Sequence, residues 1–229
     1  MISVIIPTLN EKKNISLVLK KLKKIKYISE IIFVDDNSSD GTFKEIKKYL
    51  IKNKIKGYLR KRNKDLSKSV IYGVSKANYE NILVMDCDMQ HDVNYINKMW
   101  NKFKKGKYEV VVATRFGENR FFGNLGFFRS IISKFAILLI NFIFGKKTSD
   151  PLSGFFICKK KTISNYKKYF YANGYKILFD ILYNGKKNLV IFDQEIIFRK
   201  RIHEKSKFNL RIMGLFFRQI LYTLSLVKK

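Results

Sequence analysis

In the stretch ILVMDCDMQHD, residues 82–92, four apolar residues run directly into Asp86 and Asp88. Like charges this close repel, so the pair is stable only where something positive sits between its members. A hard divalent cation meets that need, because it takes oxygen ligands and favours carboxylates. An Asp-x-Asp pair is common, and its weight depends on its surroundings. Two further polar clusters end apolar runs in the same way, at residues 7–11 and 35–40. In the second of these, Ser39 and Asp40 are residue types that cap helices, and capping is the role expected of them.

The elements that must position these clusters can be read from periodicity. Residues 2–6 are short and β-branched and predict a buried strand that Pro7 ends. Residues 11–24 place Ile15, Leu19 and Leu22 at helical spacing among lysines. A second buried strand is predicted at 31–34, a helix at about 42–50, a weaker strand near 56–60, a helix at 67–77 and strands at 82–85 and 110–113. Alternation of this kind implies a mainly parallel sheet with helices on both faces, an α/β fold. Such sheets bind ligands at the carboxyl ends of their strands, beside the topological switch point. All three polar clusters fall at such ends.

Composition bounds the rest. The 229 residues suit one sizeable domain or one domain with a small appendage, and 46% apolar content is ample for a core. Net charge is +29, a value that points to anionic partners, although a chain crowded with Lys, Ile and Asn is also what an AT-rich genome gives. A nucleic-acid-binding protein would group basic residues with aromatics along one groove; here the lysines are spread over every helix, and no nucleic-acid partner is expected. Two cysteines make no disulfide framework and suit a reducing compartment, and no secretory leader is read before the first strand. Residues 131–144 and 210–227 are strongly apolar, but neither makes a convincing membrane span. The second places Arg211, Gly214, Arg218, Tyr222 and Ser225 on one stripe, the pattern of a helix lying in a membrane interface.

The chain carries VIIPTLNE, EIIFVDDNSSDGT, ILVMDCDMQH, DPLSGFF, GYKILFDIL and RIHEKSK in that order. This ordered set resembles the family-2 glycosyltransferases of the GT-A fold, and among them the polyprenyl-phosphate glycosyltransferases of the dolichol-phosphate mannose synthase type. The resemblance spans nearly the whole chain. It implies a catalytic domain over residues 1–209, including an interface helix at about 128–144, and a membrane-interface helix at 210–229.

The resemblance also assigns roles. Pro7, Thr8, Asn10 and Glu11 match the loop that contacts the donor nucleotide, and Asp36 matches the residue that binds base and ribose, with Asp35 in support. Asp86 and Asp88 match the metal-binding Asp-x-Asp, Gln90 extends it as a further ligand, and the ion is Mg²⁺ or Mn²⁺. Cys87 is then a small buried spacer, and His91 a structural hydrogen-bonder. Arg115, Arg129 and Ser133, one helical turn beyond Arg129, match residues that hold the acceptor phosphate. Arg201 and Lys207 match a loop that closes over the donor phosphates, while Asp150, Ser153 and Gly154 sit in an active-site turn. The chain departs from the pattern at four positions. The family has Gly where Asp65 and Glu204 stand, Ala at Ser69 and Pro at Asp92.

The implied activity is metal-dependent, inverting transfer of a sugar, mannose or glucose in the first place, from a GDP- or UDP-linked donor to a polyprenyl or dolichyl phosphate. The implied location is the cytoplasmic face of a membrane, bound peripherally to an anionic surface, with a membrane-anchoring subunit among the partners allowed. Phe135, Phe142, Phe216 and Phe217 are expected to dip among acyl chains. The rival readings are a relative acting on a saccharide or other hydroxyl, which would need a general base, a relative that has lost loop closure through Glu204, and a non-catalytic basic binding protein.

Overall fold

The computed structural model describes residues 1–61, 64–115, 127–199 and 210–227, with the backbone alone described at 127–130, 210 and 227. Seven strands form one sheet: β1 (Ile2–Thr8), β2 (Ile28–Asp35), β3 (Ile55–Leu59), β4 (Asn81–Val84), β5 (Val110–Thr114), β6 (Phe156–Lys159) and β7 (Ile191–Glu195). Their order is β3-β2-β1-β4-β6-β5-β7. All neighbours run parallel except β6, which lies antiparallel between β4 and β5. The chain builds outward from β1 to β3 and returns to lay β4 on the other side of β1, so the switch point falls between β1 and β4. The α/β expectation holds, and the antiparallel insertion is new.

Side chains alternate across the strands as a two-sided core requires. Val4, Ile6 and Phe33 face one side, where α1 (Ile15–Leu22), α2 (Thr42–Lys47) and α4 (Tyr95–Phe103) pack. Ile5, Ile32 and Val34 face the other, against α3 (Leu66–Lys76), α6 (Lys160–Ser164) and α7 (Ile177–Tyr183). Pro7 lies inside β1 instead of ending it. The pairing of β1 with β4 stops at Ile5, so no ladder bond on that side asks for the missing N–H.

α5 (Phe127–Phe144) and α8 (Leu210–Val227) pack with α7 in a smaller cluster around Ile140, Phe179 and Ile220. Among the described residues no helix is long and apolar enough to cross a membrane. Phe135, Leu138 and Phe142 on α5 are exposed, as is Phe217 on α8. Phe216 corrects an expectation: its ring sits edge-on against Phe179, 5.8 Å between centroids, and belongs to the cluster instead of an outward face.

Candidate active site

The carboxyl ends of β1, β2 and β4 open onto one cleft, and Pro7, Thr8, Glu11, Asp36, Asp86, Asp88 and Gln90 all line it. Its other wall carries Arg115, Ser153 and Gly154, then Tyr175 and Lys176 just before α7, and Ile212 from α8.

On the β2 side, fully buried Asp35 is a structural tie. It accepts hydrogen bonds from the Thr8 hydroxyl (3.1 Å), the Ser38 hydroxyl (2.5 Å) and the Ser38 backbone N–H (3.0 Å), stitching the loop after β1 to the loop after β2. Asn10 completes the stitch from the left-handed region (φ 51°), which Asn tolerates better than most side chains. Its Oδ1 accepts the Ser39 N–H at 3.0 Å, and its own N–H donates to Ser38 Oγ at 2.8 Å. Asn10 is thereby used inside the loops, and it is not among the described residues lining the cleft. Glu11 accepts from Asn14 Nδ2 at 2.7 Å. Asp40 accepts the Thr42 N–H at 2.9 Å from one position outside the α2 cap, which is Gly41 at φ 86°. Ser39 does no capping: the cap position is Gly41, and the Ser39 N–H and hydroxyl both donate to Asn10 Oδ1, at 3.0 and 3.4 Å.

Asp36 is buried yet borders the cleft. Burial raises its pKa above the usual carboxylate value, and the Asp65 N–H and the Arg60 guanidinium, 3.2 Å away, work against that rise. The carboxylate is thereby held by two groups that do not enter the cleft.

The Asp-x-Asp turn is shaped by its own backbone. Met89 stands at φ 63°, a conformation few non-glycine residues adopt, and Asp88 accepts the Gln90 N–H at 3.1 Å. Gln90 in turn pins the segment after β7: its Nε2 donates to the Arg199 carbonyl (3.2 Å), and the Arg199 N–H donates to its carbonyl (3.0 Å). Asp92, where the resembling family has Pro, pairs with Arg199 at 2.5 Å and strengthens the same junction. Cys87 is buried, as a spacer should be.

His91 is almost wholly enclosed, stacked on Phe155 at 4.8 Å. Burial lowers its basicity, so it is neutral near pH 7. Its Nδ1 accepts the Asp86 N–H at 3.3 Å, which leaves the ring proton on Nε2, 3.8 Å from Asp86 Oδ2. It holds Asp86 from behind and is poorly placed to be a base.

Asp86 is the most open of the cleft aspartates, its side chain 36% exposed. Glycine at 154 makes room for it, because a Cβ there would lie 2.8 Å from Asp86 Oδ2. Among the described residues no three His, Cys, Asp or Glu side chains form a complete metal cage. Asp86 and Asp88 could supply the one or two carboxylates that a small hard divalent cation takes from protein.

Arg115 does something the sequence reading did not anticipate. Its guanidinium grips fully buried Asp150 with two bonds, Nε–Oδ2 at 2.6 Å and Nη2–Oδ1 at 2.8 Å. Ser133 is half-buried on α5 and is not among the described residues lining the cleft; Arg129 is described only as a backbone position of α5. Arg201, Glu204 and Lys207 lie outside the described residues. Tyr175 and Lys176 were missed as individual residues, although the stretch GYKILFDIL contains them. Lys176 Nζ donates to the Leu152 carbonyl at 3.2 Å, tying its wall to the turn that holds Gly154.

Comparison with known proteins agrees with this architecture. The model of the family described as Glycosyl transferase family 2 matches residues 3–167. A dolichol-phosphate mannosyltransferase of Pyrococcus furiosus is 33% identical over 196 residues, which are 83% of this chain and 54% of that protein. A putative glycosyltransferase, CsbB, of Bacillus subtilis is 28% identical over 90% of this chain and 60% of its own length. The chain therefore spans little more than half the length of these two relatives. Among solved structures, glucosyl-3-phosphoglycerate synthase of Mycobacterium tuberculosis with phosphoglyceric acid superposes with a TM-score of 0.73 at 17% identity, over 98% of this chain and 79% of that one. The same enzyme with Mn²⁺, uridine diphosphate and glucosyl-3-phosphoglycerate gives 0.70 at 16% identity, over 98% of this chain and 78% of that one. At that identity the likeness establishes the GT-A fold.

Proposed function

The chain belongs to glycosyl transferase family 2, and we propose that it transfers a sugar from a nucleoside-diphosphate donor to a polyprenyl phosphate, with inversion. The observation that carries the reading is the convergence of Asp36, Asp86 and Asp88 from two strand ends on one cleft. The donor would lie across it, nucleoside at Pro7, Thr8, Glu11 and Asp36, diphosphate toward Asp86. Asp86, Asp88 and the side-chain oxygen of Gln90 would hold Mg²⁺ or Mn²⁺, whose charge offsets that gathering on the departing diphosphate. The uridine diphosphate and Mn²⁺ in the synthase structure support a uridine-linked donor, and the mannosyltransferase relative supports a lipid-phosphate acceptor.

In the reaction an acceptor phosphate oxygen attacks the anomeric carbon from the face opposite the leaving group. The bond from that carbon to the diphosphate oxygen breaks, and the nucleoside diphosphate departs with the electron pair. No proton has to be removed, because a lipid phosphate is already anionic. A hydroxyl acceptor would need a base, and two of the groups best placed by type are committed elsewhere. Asp150 is locked to Arg115, and His91 is enclosed with Nδ1 on the Asp86 N–H. This favours the phosphate acceptor over the hydroxyl one. Arg115, Arg129 and Ser133 remain the residues proposed to meet the acceptor phosphate, with Arg201 and Lys207 closing over the donor.

A lipid acceptor calls for a membrane face. Ile131, Phe135, Leu138 and Phe142 form one exposed stripe of α5, while Met213, Phe217 and Leu221 form another on α8. We place these stripes in the acyl boundary of an anionic cytoplasmic leaflet, with Lys146, Arg211 and Arg218, exposed beside them, meeting headgroups. The test is to incubate the protein with labelled UDP- and GDP-sugars, short polyprenyl phosphates and Mg²⁺ or Mn²⁺, then extract the lipid. Label in the organic phase that requires the metal is the expected result. Label appearing only in water-soluble saccharide would overturn the acceptor assignment.

A further inference from the structure

Two parts of the cleft wall, Asp36 on one side and Tyr175 with Lys176 on the other, lie more than a hundred residues apart in the chain, and they are joined through Asp65. Its backbone N–H donates to the Asp36 carboxylate. One of its own carboxylate oxygens accepts the Lys68 N–H at 2.9 Å, capping α3. The other accepts the Gly174 N–H at 2.7 Å. Gly174 is gripped from both sides, since its carbonyl accepts the Ser67 N–H at 3.0 Å, and Lys68 Nζ donates to Asn173 Oδ1 at 2.6 Å. The next two residues, Tyr175 and Lys176, are the far wall of the cleft.

Capping accounts for one oxygen of Asp65 and leaves the other unexplained. A serine or glycine would serve a helix start at less cost, whereas this carboxylate is buried to 7% exposure. Burial pushes its pKa up to about 6, against the pull of its two N–H donors, so the position carries a cost that capping does not require. The bond to Gly174 is what the carboxylate adds.

We propose that Asp65 is a positioning residue for donor binding, clamping the Gly174–Lys176 wall to the Asp36 wall so that the cleft is set to the nucleotide before it arrives. The proposal rests on the donor reading above. A wall held in place needs no ordering when the ligand binds, and ordering is subtracted from affinity.

Asp65→Ser separates the two roles, because serine caps a helix but is too short to hold Gly174 as well. In this variant hydrogen exchange at the Gly174 amide should rise at least about tenfold, as a bonded amide becomes an open one. The dissociation constants for UDP and GDP with Mn²⁺, by calorimetry, should rise about tenfold, the worth of one charge-assisted hydrogen bond. The thermal midpoint should stay within about 4 °C of wild type. In a Tyr175→Ala background the same substitution should change nucleotide affinity less than about twofold, since the wall it positions is gone. Asp65→Asn, which keeps shape but offers one acceptor oxygen, should show the same affinity loss if the serine variant folds poorly. Unchanged Gly174 exchange, unchanged affinity, or full additivity with Tyr175→Ala would each overturn the clamp. A wild type that binds neither nucleotide overturns the donor reading and the clamp's role with it; failure of the clamp alone leaves wild-type binding intact.

Discussion

A methyl group at position 154 would meet Asp86 first: its Cβ would lie 2.8 Å from Oδ2, 3.1 Å from Oδ1 and 3.2 Å from Cγ. Contacts under 3.0 Å do not persist, so one partner must give. The backbone at 154 needs no left-handed conformation, and alanine introduces no strain of its own there. The Asp86 side chain is partly exposed and can swing toward solvent. Gly154→Ala should therefore move the carboxylate by several tenths of an ångström to about 1 Å, at a folding cost below the roughly 1–3 kcal/mol of ordinary overpacking. Catalysis is less forgiving. A displacement of about 1 Å in a reacting constellation costs on the order of 10²-fold in rate.

The control is another glycine under equal crowding. At Gly73 a Cβ would lie 2.6 Å from Ile5 Cγ2 and 3.1 Å from Val34 Cγ2, in the packed core beneath α3. Gly73→Ala should lower stability by about 1–3 kcal/mol and leave turnover per folded molecule nearly unchanged. Denaturant midpoints and metal-dependent sugar transfer, measured on both variants, give a crossed pattern: activity lost at 154, stability lost at 73. Full transfer by the Gly154→Ala enzyme would refute the claim that the position of Asp86 matters, and with it the metal assignment.

Asp88→Asn changes charge with little change of volume and should cost at least about 10²-fold in transfer, as should chelation of the divalent ion; activity intact under both would remove the metal from the scheme. Asp150→Asn should destabilise the fold by about 3–5 kcal/mol, because it strips a buried guanidinium of its charge partner, and an unaltered unfolding midpoint would show that the Arg115 pair is not what holds the turn. For Asp65 the sign follows from its raised pKa. Between about pH 4 and 6 the folded protein keeps a proton that the unfolded chain has lost, so this group's contribution falls as pH rises through that window, by at most about 3 kcal/mol before screening. Asp65→Asn should flatten that slope relative to wild type, and identical pH–stability curves would count against it. Phe217→Ser should weaken binding to anionic liposomes with little loss of stability, whereas Phe216→Ala should cost about 3–5 kcal/mol of folding; the reverse ranking in liposome flotation and denaturation would exchange the two faces of α8.

Local pattern carried the sheet as far as local pattern can. The β-branched runs of β1, β2, β4 and β5 are buried on both faces and leave a signal no solvent-facing strand leaves. β7, IFDQE, is an edge strand with no fully buried residue and shows no such run, whereas β6 lies in a buried apolar run, Phe155–Cys158, too short for periodicity to tell a strand from a buried helix segment. α4, left unassigned from sequence, has Ile96, Met99 and Phe103 at helical spacing behind a long polar turn. The strand-end residues of the site were legible for the same reason as the strands. Tyr175 and Lys176 in the cleft, and Asp65 bonded behind them, were not, because their arrangement comes from contacts between segments about a hundred residues apart. Phe216 and Phe217 show the limit most plainly. A helix apolar on two sides does not say from sequence which side meets its neighbour.

The acidity of the cleft bears on what can enter it. In a chain of net charge +29 the described lining residues include four carboxylates, at Glu11, Asp36, Asp86 and Asp88, against Arg115 and Lys176, and Arg115 is bonded to Asp150. A nucleoside diphosphate approaching that wall brings further negative charge to the side where Asp86 stands open. Repulsion between groups this close is large where water is thin, and the surrounding lysines are screened beyond roughly 8–10 Å. Their summed charge can draw an anion to the protein but cannot neutralise the contact itself. A cation held by the carboxylates would relieve that repulsion. Asp36 has such a cation in Arg60, which the chain supplies; Asp86 and Asp88 would take theirs from solution. That contrast predicts which half of the donor depends on metal. A nucleoside lacking phosphates should bind with similar affinity with or without Mn²⁺, while the diphosphate should gain at least about tenfold from it, and an equal metal effect on both would break the division drawn between the two walls.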